Sequence, residues 1–203
     1  YAWTTYPAGF RRNADSMAHP YLDGKMLIAM PGIGDERFDR AVIYVCAHSS
    51  DGAMGLIINH QIDSLSFPGL MERLDLSGGE NDIRLPDDVA DTRILQGGPV
   101  ETRRGFVLHS KDYFSDECTL SVDAGVGLTA TLDVLRAIAN GTGPRLSLLA
   151  LGYTGWGPGQ LESEIRQNGW LHCDADEDLI FGSDLETKYD TALARIGLRE
   201  DML

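Results

Sequence analysis

Residues 41–60 constrain the fold of this chain more than any other stretch, because two apolar runs flank a short polar break there. The first run, 41–47, is rich in Val and Ile, and the second run, 54–58, is equally apolar. A glycine-containing break at 49–52 separates them. This pattern predicts two antiparallel strands joined by a loop of four or five residues. Neither run alternates apolar with polar residues, so we expect both faces to be covered and the strands to lie centrally in a sheet.

The charge of the chain restricts what it can bind. Asp and Glu total 31 whereas Lys and Arg total 17, which gives a net charge of −14. Nucleic-acid binding depends on a basic face that neutralises phosphates, so direct nucleic-acid binding is not expected. An anionic membrane surface is disfavoured for the same reason. The apolar runs reach only strand length, so no membrane-spanning helix is predicted, and no signal-peptide core is recognisable.

The cysteines indicate the compartment. The chain has an odd number of cysteines, and they are far apart in the sequence: Cys46, Cys118 and Cys173. This pattern fits reduced thiols better than a disulfide framework, so we expect a cytoplasmic protein.

The remaining pattern predicts one domain. Residues 1–20 show no periodicity and are interpreted as an N-terminal tail or arm, whereas 21–203 are long enough for a single domain with a substantial core. Because the predicted strands occur in clusters, we expect an α/β (α+β) fold with a mixed, mainly antiparallel sheet flanked by helices. Further strands are predicted at 25–30, 93–95, 106–109, 119–122, 125–127, 146–151 and 179–181. Helices are predicted at 66–74 and 129–140, after Pro158, and from Ser183 to Gly197.

Local signals define the ends of the last two helices. Pro158 suits a first helical turn, where its missing N–H group is not needed. Ser183 and Glu186 form the pattern of a capping box, and Gly197 suits a left-handed C-terminal cap.

Cys46 and His48 are two residues apart on a predicted strand, so their side chains should point to the same face. A nearby imidazole lowers the pKa of a thiol, which would make Cys46 redox-sensitive or nucleophilic. The alternative is a buried core cysteine next to a histidine at the end of the strand.

No metal or cofactor site is predicted. The chain contains neither a His-x-x-x-His nor a Cys-x-x-Cys spacing. The acidic run 174–178 starts like a calcium loop, but Leu179 and Leu185 occupy the positions of the required glycine and glutamate.

The helix after Pro158 carries a candidate groove. Gln160 and Glu164 are four residues apart and share one face, while two apolar residues occupy the adjacent face. Trp156 and Trp170 flank this helix in sequence and could form the walls of a groove. The alternative is a surface helix with a buried tryptophan at each end.

A glycine pair marks a second feature of interest. Gly97 and Gly98 precede Pro99, which predicts a tight turn or a close backbone approach to a ligand or another strand. His109 is followed by Ser110, but neighbours on a strand point to opposite faces and do not form a catalytic pair.

Four stretches together resemble the YqgE/AlgH family of bacterial proteins. The resemblance runs in unbroken order from about residue 24 to residue 198. It implies a single α/β domain with a mixed, partly barrel-like sheet and no established enzymatic activity. Members are often labelled transcriptional regulators, but no helix-turn-helix is recognisable here. The stretches are MLIAMP at 26–31, VIYVCAH at 42–48 with GAMGLIIN at 52–59, GGP at 97–99 with RGFVLH at 104–109, and ALGYTGW at 150–156 with GQLE at 159–162.

The resemblance also identifies polar positions that match the family's motifs. Three positions depart from the usual pattern: His60-Gln61 replaces Lys-Pro, Arg103 replaces an acidic residue, and Tyr189 replaces a tryptophan. The matching positions are His48, Asn59, Arg104, His109, Gln160, Glu164, Asn168 and Trp170.

These observations lead to one hypothesis and one alternative. We expect a non-enzymatic binding or regulatory protein that acts through a small-molecule or protein partner, with Arg104 neutralising an anionic group. The alternative is an enzyme, either a hydrolase or a thiol-based redox protein that uses Cys46 and His48. The predicted binding groove comprises Gly97, Gly98, Arg104, His109, Trp156, Gln160, Glu164 and Asn168.

Overall fold

A computed structural model describes residues 21–76, 87–114, 119–123 and 125–203. The predicted tail at 1–20 lies outside the described residues, as does Cys118. The described strands are β1 Lys25–Ala29, β2 Val42–Ser49, β3 Gly52–Ile57, β4 Ile94–Gln96, β5 Val100–Ser110, β6 Thr119–Ser121, β7 Val126–Thr129, β8 Ser147–Trp156 and β9 Trp170–Asp174. The described α-helices are α1 Phe67–Arg73, α2 Asp87–Ala90, α3 Leu132–Ala139, α4 Gln160–Arg166, α5 Glu177–Phe181 and α6 Lys188–Arg195, with 3-10 turns at Glu36–Phe38 and Glu200–Met202.

The strands form one sheet in the order β6-β7-β5-β8-β3-β2-β1-β9, with β4 paired to β8 outside this path. The β4–β8 pairing is parallel, whereas the other described pairings are antiparallel. This arrangement confirms the predicted mixed, mainly antiparallel sheet. The hairpin predicted at 41–60 is β2 and β3, and both strands lie inside the sheet with neighbours on each side.

Helices cover both faces of the sheet. On one face, α5 and α6 pack against side chains from β1, β2, β3, β5 and β8. On the opposite face, α1 and α3 cover β4, β5 and β8. The remaining part of that face, over β1 to β3, is covered by α4 and the 3-10 turn at Glu36–Phe38. Because neither face is left open, the central strands need apolar residues at successive positions, as their sequences predict.

A hydrogen bond across the sheet requires the sheet to curl. The Tyr44 hydroxyl on β2 donates to Asp123 Oδ2 at 2.8 Å. Asp123 lies between β6 and β7, and its Oδ1 accepts from the backbone N–H groups of Gly125 and Val126. In a flat sheet, β2 and β7 would be four strand spacings, or about 19 Å, apart. The direct contact therefore fits the half-barrel curvature of this single α/β domain.

The structure corrects the prediction of a strand at 179–181, because these residues end helix α5. Asp176 caps this helix by accepting a hydrogen bond from the Leu179 N–H group at 2.8 Å. Glu177 and Asp178 occupy its first turn, where negative charges interact favourably with the helix dipole. The acidic run that precedes α5 thus includes its start signal. Strand β9, which pairs with β1, was not predicted.

The predicted capping box at Ser183 and Glu186 is also wrong, because α6 begins at Lys188 after Thr187. Lys188 is buried, and its Nζ donates to the carbonyl oxygens of Leu179 and Ile180 at 2.7 and 2.6 Å. The need to satisfy the end of α5 therefore contributes to where α6 begins.

Strand β8 continues beyond its predicted end at residue 151. Gly152 has a φ angle of +74°, and a Cβ atom there would lie 2.5 Å from the Gly98 carbonyl oxygen. This glycine lets the strand bend against its neighbour and continue to Trp156. Helix α4 begins after Gly159, so Pro158 precedes the helix rather than occupying its first turn. The region predicted as a loop at 76–91 includes the short helix α2, and residues 77–86 lie outside the described part.

Candidate functional site

The predicted glycine turn approaches another strand. The Gly97 N–H group donates to the Leu151 carbonyl oxygen at 2.8 Å. A Cβ atom on Gly98 would lie 2.2 Å from the carbonyl carbon of Tyr153. Of the two alternatives for this close approach, the contact is with strand β8, and the glycines allow the β4–β5 connection to pack there.

Arg104 lies beside this turn and is almost buried. Its Nη1 donates to Glu101 Oε2 at 2.7 Å. Its guanidinium carbon lies 5.6 Å from the centroid of the Phe106 ring. Strand β5 bends here, since Glu101 has a φ angle of +46° and the pairing with β8 shifts register between Val100 and Gly105. The ion pair spans this bend, and Thr102 and Arg103 lie between its two partners.

His109 is on the same strand but in a different environment. It is fully buried, with Nε2 2.8 Å from Thr129 Oγ1 and Nδ1 2.9 Å from the Ser110 carbonyl oxygen. Burial lowers the pKa of His109, which favours the neutral imidazole. Five residues of extended chain put His109 roughly 16 Å along the strand from Arg104. The structure therefore does not bring His109 into a groove with Arg104.

The predicted groove around α4 is filled by its own side chains. Glu164 Oε2 accepts hydrogen bonds from Trp156 Nε1 at 2.9 Å and from Trp170 Nε1 at 2.8 Å. Glu164 Oε1 accepts from Gln160 Nε2 at 2.8 Å. The two indole rings meet edge to face, with centroids 5.7 Å apart. We call Trp156, Gln160, Glu164 and Trp170 the indole clasp, because they fasten α4 to the sheet.

Asn168 lies in the turn after α4 and outside the indole clasp. Its side chain is exposed, its φ angle is +57°, and its N–H group donates to the Ile165 carbonyl oxygen at 3.0 Å. Asparagine tolerates this left-handed conformation, so the residue suits the end of the helix.

A β-bulge separates Cys46 from His48. Val45 pairs with Gly55 and Ala47 pairs with Met54, so Cys46 is the additional residue. The bulge reverses the alternation, and Cys46 faces the core under α5 and α6 while His48 faces α4. Their predicted location on one face is therefore incorrect. Burial raises the pKa of the Cys46 thiol, which opposes formation of a thiolate.

His48 connects the first described residues to α4. Its Nδ1 accepts from the Leu22 N–H group at 3.0 Å, and its Nε2 lies 3.1 Å from Glu162 Oε1. The bond from Leu22 assigns the proton of a neutral ring to Nε2, which then donates to Glu162. The side chain of His48 is thus fully used in packing the chain against α4.

A separate cleft was not recognised in the sequence. It has a volume of about 440 Å³ and lies between the chain after β3, the end of α1 and the bend in β5. We call it the Arg73–Arg103 cleft, after the two cations that reach it. The described residues that line it are Ile62, Ser64, Leu65, Arg73, Thr102, Arg103 and Leu151.

Three parts of the fold position the lining of this cleft. Arg73 is the last residue of α1, and Ser66 caps the start of this helix by accepting a hydrogen bond from the Gly69 N–H group. Leu65 and Leu151 belong to the core under α1 and α3. Thr102 and Arg103 lie in the bend spanned by the Glu101–Arg104 ion pair. The residues that line the cleft come from distant parts of the sequence, so no motif or regular spacing connects them. This explains why the cleft was not predicted.

Within the part of the chain that the structure describes, no group of three or more His, Cys, Asp or Glu side chains is arranged to hold a metal ion. None of its helices combines the length and apolar character needed to cross a membrane.

Sequence comparisons identify close relatives. A family model described as AlgH-like (DUF179) matches residues 26–200. A UPF0301 protein from Rhodopseudomonas palustris strain HaA2 is 59% identical over 183 residues, covering 90% of this chain and 84% of that protein. A UPF0301 protein from Bradyrhizobium diazoefficiens is 58% identical over 183 residues, covering 90% and 86% of the two chains.

Two solved structures share the fold. The solution structure of the AlgH protein from Pseudomonas aeruginosa superposes with a TM-score of 0.75 at 38% identity, covering 93% of this chain and 95% of that one. The crystal structure of protein DIP2367 from Corynebacterium diphtheriae has a TM-score of 0.68 at 17% identity, covering 93% and 94%, and supports the fold alone. From the family model and these relatives, we conclude that this chain belongs to the AlgH-like family.

Proposed function

We propose that this protein is a non-enzymatic binding or regulatory domain that recognises an anionic group in the Arg73–Arg103 cleft. The observation that supports this proposal is the convergence of two arginines on a concave surface of a chain with a net charge of −14. Arginine is suited to recognising carboxylates and phosphates, because its planar fork donates two parallel hydrogen bonds. The cleft volume of about 440 Å³ lies within the range of small-molecule sites.

In this proposal Arg104 is a positioning residue. Its side chain is committed to Glu101 and Phe106 and is almost buried. It stabilises the bend that presents Thr102 and Arg103 to the cleft. The anion is therefore neutralised by the neighbouring Arg103 rather than by Arg104.

The surroundings of Cys46 favour a binding role over thiol chemistry. Its side chain is buried, its pKa is raised, and its Sγ lies 3.6 Å from the Tyr44 carbonyl oxygen. A nucleophilic cysteine needs an accessible thiolate in an electropositive environment. The enzyme alternative thus gains no support from this residue.

The proposal also includes a location and a class of partner. Cys46 and Cys173 are free and buried, which is compatible with a reducing cytoplasm. The acidic balance of the chain favours a small molecule or a protein as partner over direct nucleic-acid contact.

Isothermal titration calorimetry with phenyl phosphate tests the proposal. We expect saturable binding by the full chain and a loss of at least fivefold in affinity for Arg103→Gln, since a hydrogen bond to a charged group contributes about 1.5–3 kcal/mol. Arg136→Gln is the matched control, because Arg136 is exposed on α3 and pairs with Asp133 away from the cleft. The absence of saturable binding, or equal losses for the two variants, would refute the proposed function.

A further inference from the structure

We infer that His48 is an acid-sensitive latch, which holds the segment ahead of β1 while its ring is neutral and releases that segment when the ring is protonated. The ring lies between two parts of the chain that are remote from each other in sequence. Leu22 belongs to the segment at 21–24, and Glu162 belongs to α4. The latch therefore acts where the segment that leads into β1 contacts the helix of the indole clasp.

The bond to the backbone permits only one protonation state of the ring. The Leu22 N–H group donates to His48 Nδ1 at 3.0 Å. A backbone N–H group cannot act as an acceptor, so Nδ1 must present a lone pair and the neutral ring carries its proton on Nε2. In the imidazolium ion both ring nitrogens are donors. Protonation thus places two donors opposite each other at Nδ1, and the bond from Leu22 is lost.

The other buried histidine shows why the backbone partner matters. His109 has Nε2 2.8 Å from Thr129 Oγ1 and Nδ1 2.9 Å from the Ser110 carbonyl oxygen. A hydroxyl group can turn and accept instead of donating, so a protonated His109 would keep both of its hydrogen bonds. His48 cannot keep both, because the N–H group of Leu22 has no second role.

Glu162 provides the counter-charge that a protonated His48 needs. The side chain of His48 is only 1% exposed, whereas that of Glu162 is 37% exposed. A buried charge needs a partner of opposite sign, and the carboxylate 3.1 Å from Nε2 supplies it. Tyr21 presents its ring at an angle of 62° with centroids 5.0 Å apart, and the apolar Ala53 lies opposite His48 in β3. Because histidine ordinarily changes charge between pH 5 and 8, the latch should open in this range.

Backbone hydrogen bonds next to β1 limit how far the release extends. The Gly24 N–H group donates to the Val45 carbonyl oxygen at 2.9 Å, and the Lys25 N–H group donates to the Leu22 carbonyl oxygen at 3.0 Å. The Leu22 side chain is half-buried at the edge of the core under α4. Loss of the bond to His48 therefore loosens residues 21 and 22, while Gly24 and the sheet stay in place.

Nuclear magnetic resonance of the isotopically labelled full chain tests the latch. At pH 7.5 the ring nitrogen signals should show that His48 carries its proton on Nε2. The protection of the Leu22 amide against hydrogen exchange, corrected for the intrinsic effect of pH, should fall about tenfold between pH 7.5 and 5.5, because a hydrogen bond is lost. This fall should follow the titration of the His48 ring.

Two variants and a control separate the ring from its surroundings. His48→Asn offers a carbonyl oxygen to Leu22 but does not titrate, so the protection of the Leu22 amide should no longer depend on pH. Glu162→Gln removes the charge that faces the imidazolium ion, so the midpoint should fall by about half a pH unit or more. His60→Asn is the control, because His60 lies beyond the opposite end of β3 with Nε2 3.1 Å from the Asp39 carbonyl oxygen. It should leave the midpoint unchanged.

Several results would overturn the latch. These are a proton on Nδ1 at pH 7.5, a ring that stays neutral down to pH 5, and a Leu22 amide whose protection is constant while the ring titrates. A fall in protection that persists in His48→Asn would assign the effect to another group. If His48→Asn does not fold, Glu162→Gln decides, and an unchanged midpoint in that variant would count against the latch.

Discussion

Replacement of Glu164 by alanine tests whether the indole clasp fastens α4 to the sheet. The carboxylate accepts hydrogen bonds from Trp156 and Trp170, whose side chains are buried, and from Gln160. Removal of this carboxylate leaves two buried indole N–H groups without their hydrogen-bond acceptor, which costs about 1–3 kcal/mol of stability for each group. Glu164 is itself partly exposed, so water can reach some of the space that it leaves. We therefore expect Glu164→Ala to lower the free energy of unfolding by about 2–4 kcal/mol.

Urea denaturation followed by far-UV circular dichroism measures this change. Gln167→Ala is the control, because Gln167 ends the same helix, is exposed, and its side chain donates a hydrogen bond to Ser163 rather than to the indole clasp. It should lower the free energy of unfolding by less than about 0.5 kcal/mol, as surface substitutions usually do.

A double-mutant cycle isolates the hydrogen bonds from the rest of the side chain. Trp170→Phe removes one indole donor but retains an aromatic ring, so Glu164→Ala should be less damaging in that background by about 1–2 kcal/mol. Equal losses for Glu164→Ala and Gln167→Ala, or no coupling in the cycle, would refute the role assigned to the clasp.

Two other substitutions test the packing of the core. Tyr44→Phe should lower the free energy of unfolding by about 1.5–3 kcal/mol in urea denaturation, because it removes the hydrogen bond to the Asp123 carboxylate; no change would contradict the closure of the sheet by this contact. Burial lowers the pKa of Lys188 to about 8 in the folded protein, whereas in the unfolded chain this lysine has its usual pKa of 10.5. Between these pH values the unfolded chain binds one proton more than the folded protein, so the free energy of unfolding rises with pH. The wild-type protein should therefore gain about 2 kcal/mol of stability between pH 7.5 and 9.5 relative to Lys188→Met, and parallel pH profiles for the two proteins would contradict this.

The central strands could be predicted from the sequence because their signal is local. The runs at 41–47 and 54–58 are apolar throughout and are separated by a turn, which leaves few alternatives to a buried hairpin. The bulge at Cys46 could not be predicted in the same way. It depends on how β2 pairs with β3, and it reversed the face assigned to His48.

The errors at the C-terminal end arose where tertiary contacts override local signals. The capping box at Ser183 and Glu186 satisfied a sequence rule, but Lys188 starts α6 where it can reach the last carbonyl groups of α5. Helix α5 has a local start signal in Asp176 and the two acidic residues after it. The short apolar run at 179–181 nevertheless led to the prediction of a strand.

The candidate site was only partly accessible from the sequence. The spacing of Gln160 and Glu164 correctly placed them on one face of a helix between two tryptophans. Whether such groups bind a ligand or each other depends on distances that sequence spacing does not contain. Arg73 and Arg103 are 30 residues apart and lie on a helix and a strand, so only the fold brings them to one cleft.

The most direct test of the central claim is the location of a bound anion by nuclear magnetic resonance. Titration of the isotopically labelled full chain with phenyl phosphate should shift the side-chain Nε–H signals of Arg73 and Arg103, together with the backbone signals of residues 62–65 and 102–103. Shifts that instead centre on the indole clasp, or on Arg136 and Arg145, would contradict the assignment of the Arg73–Arg103 cleft as the binding site.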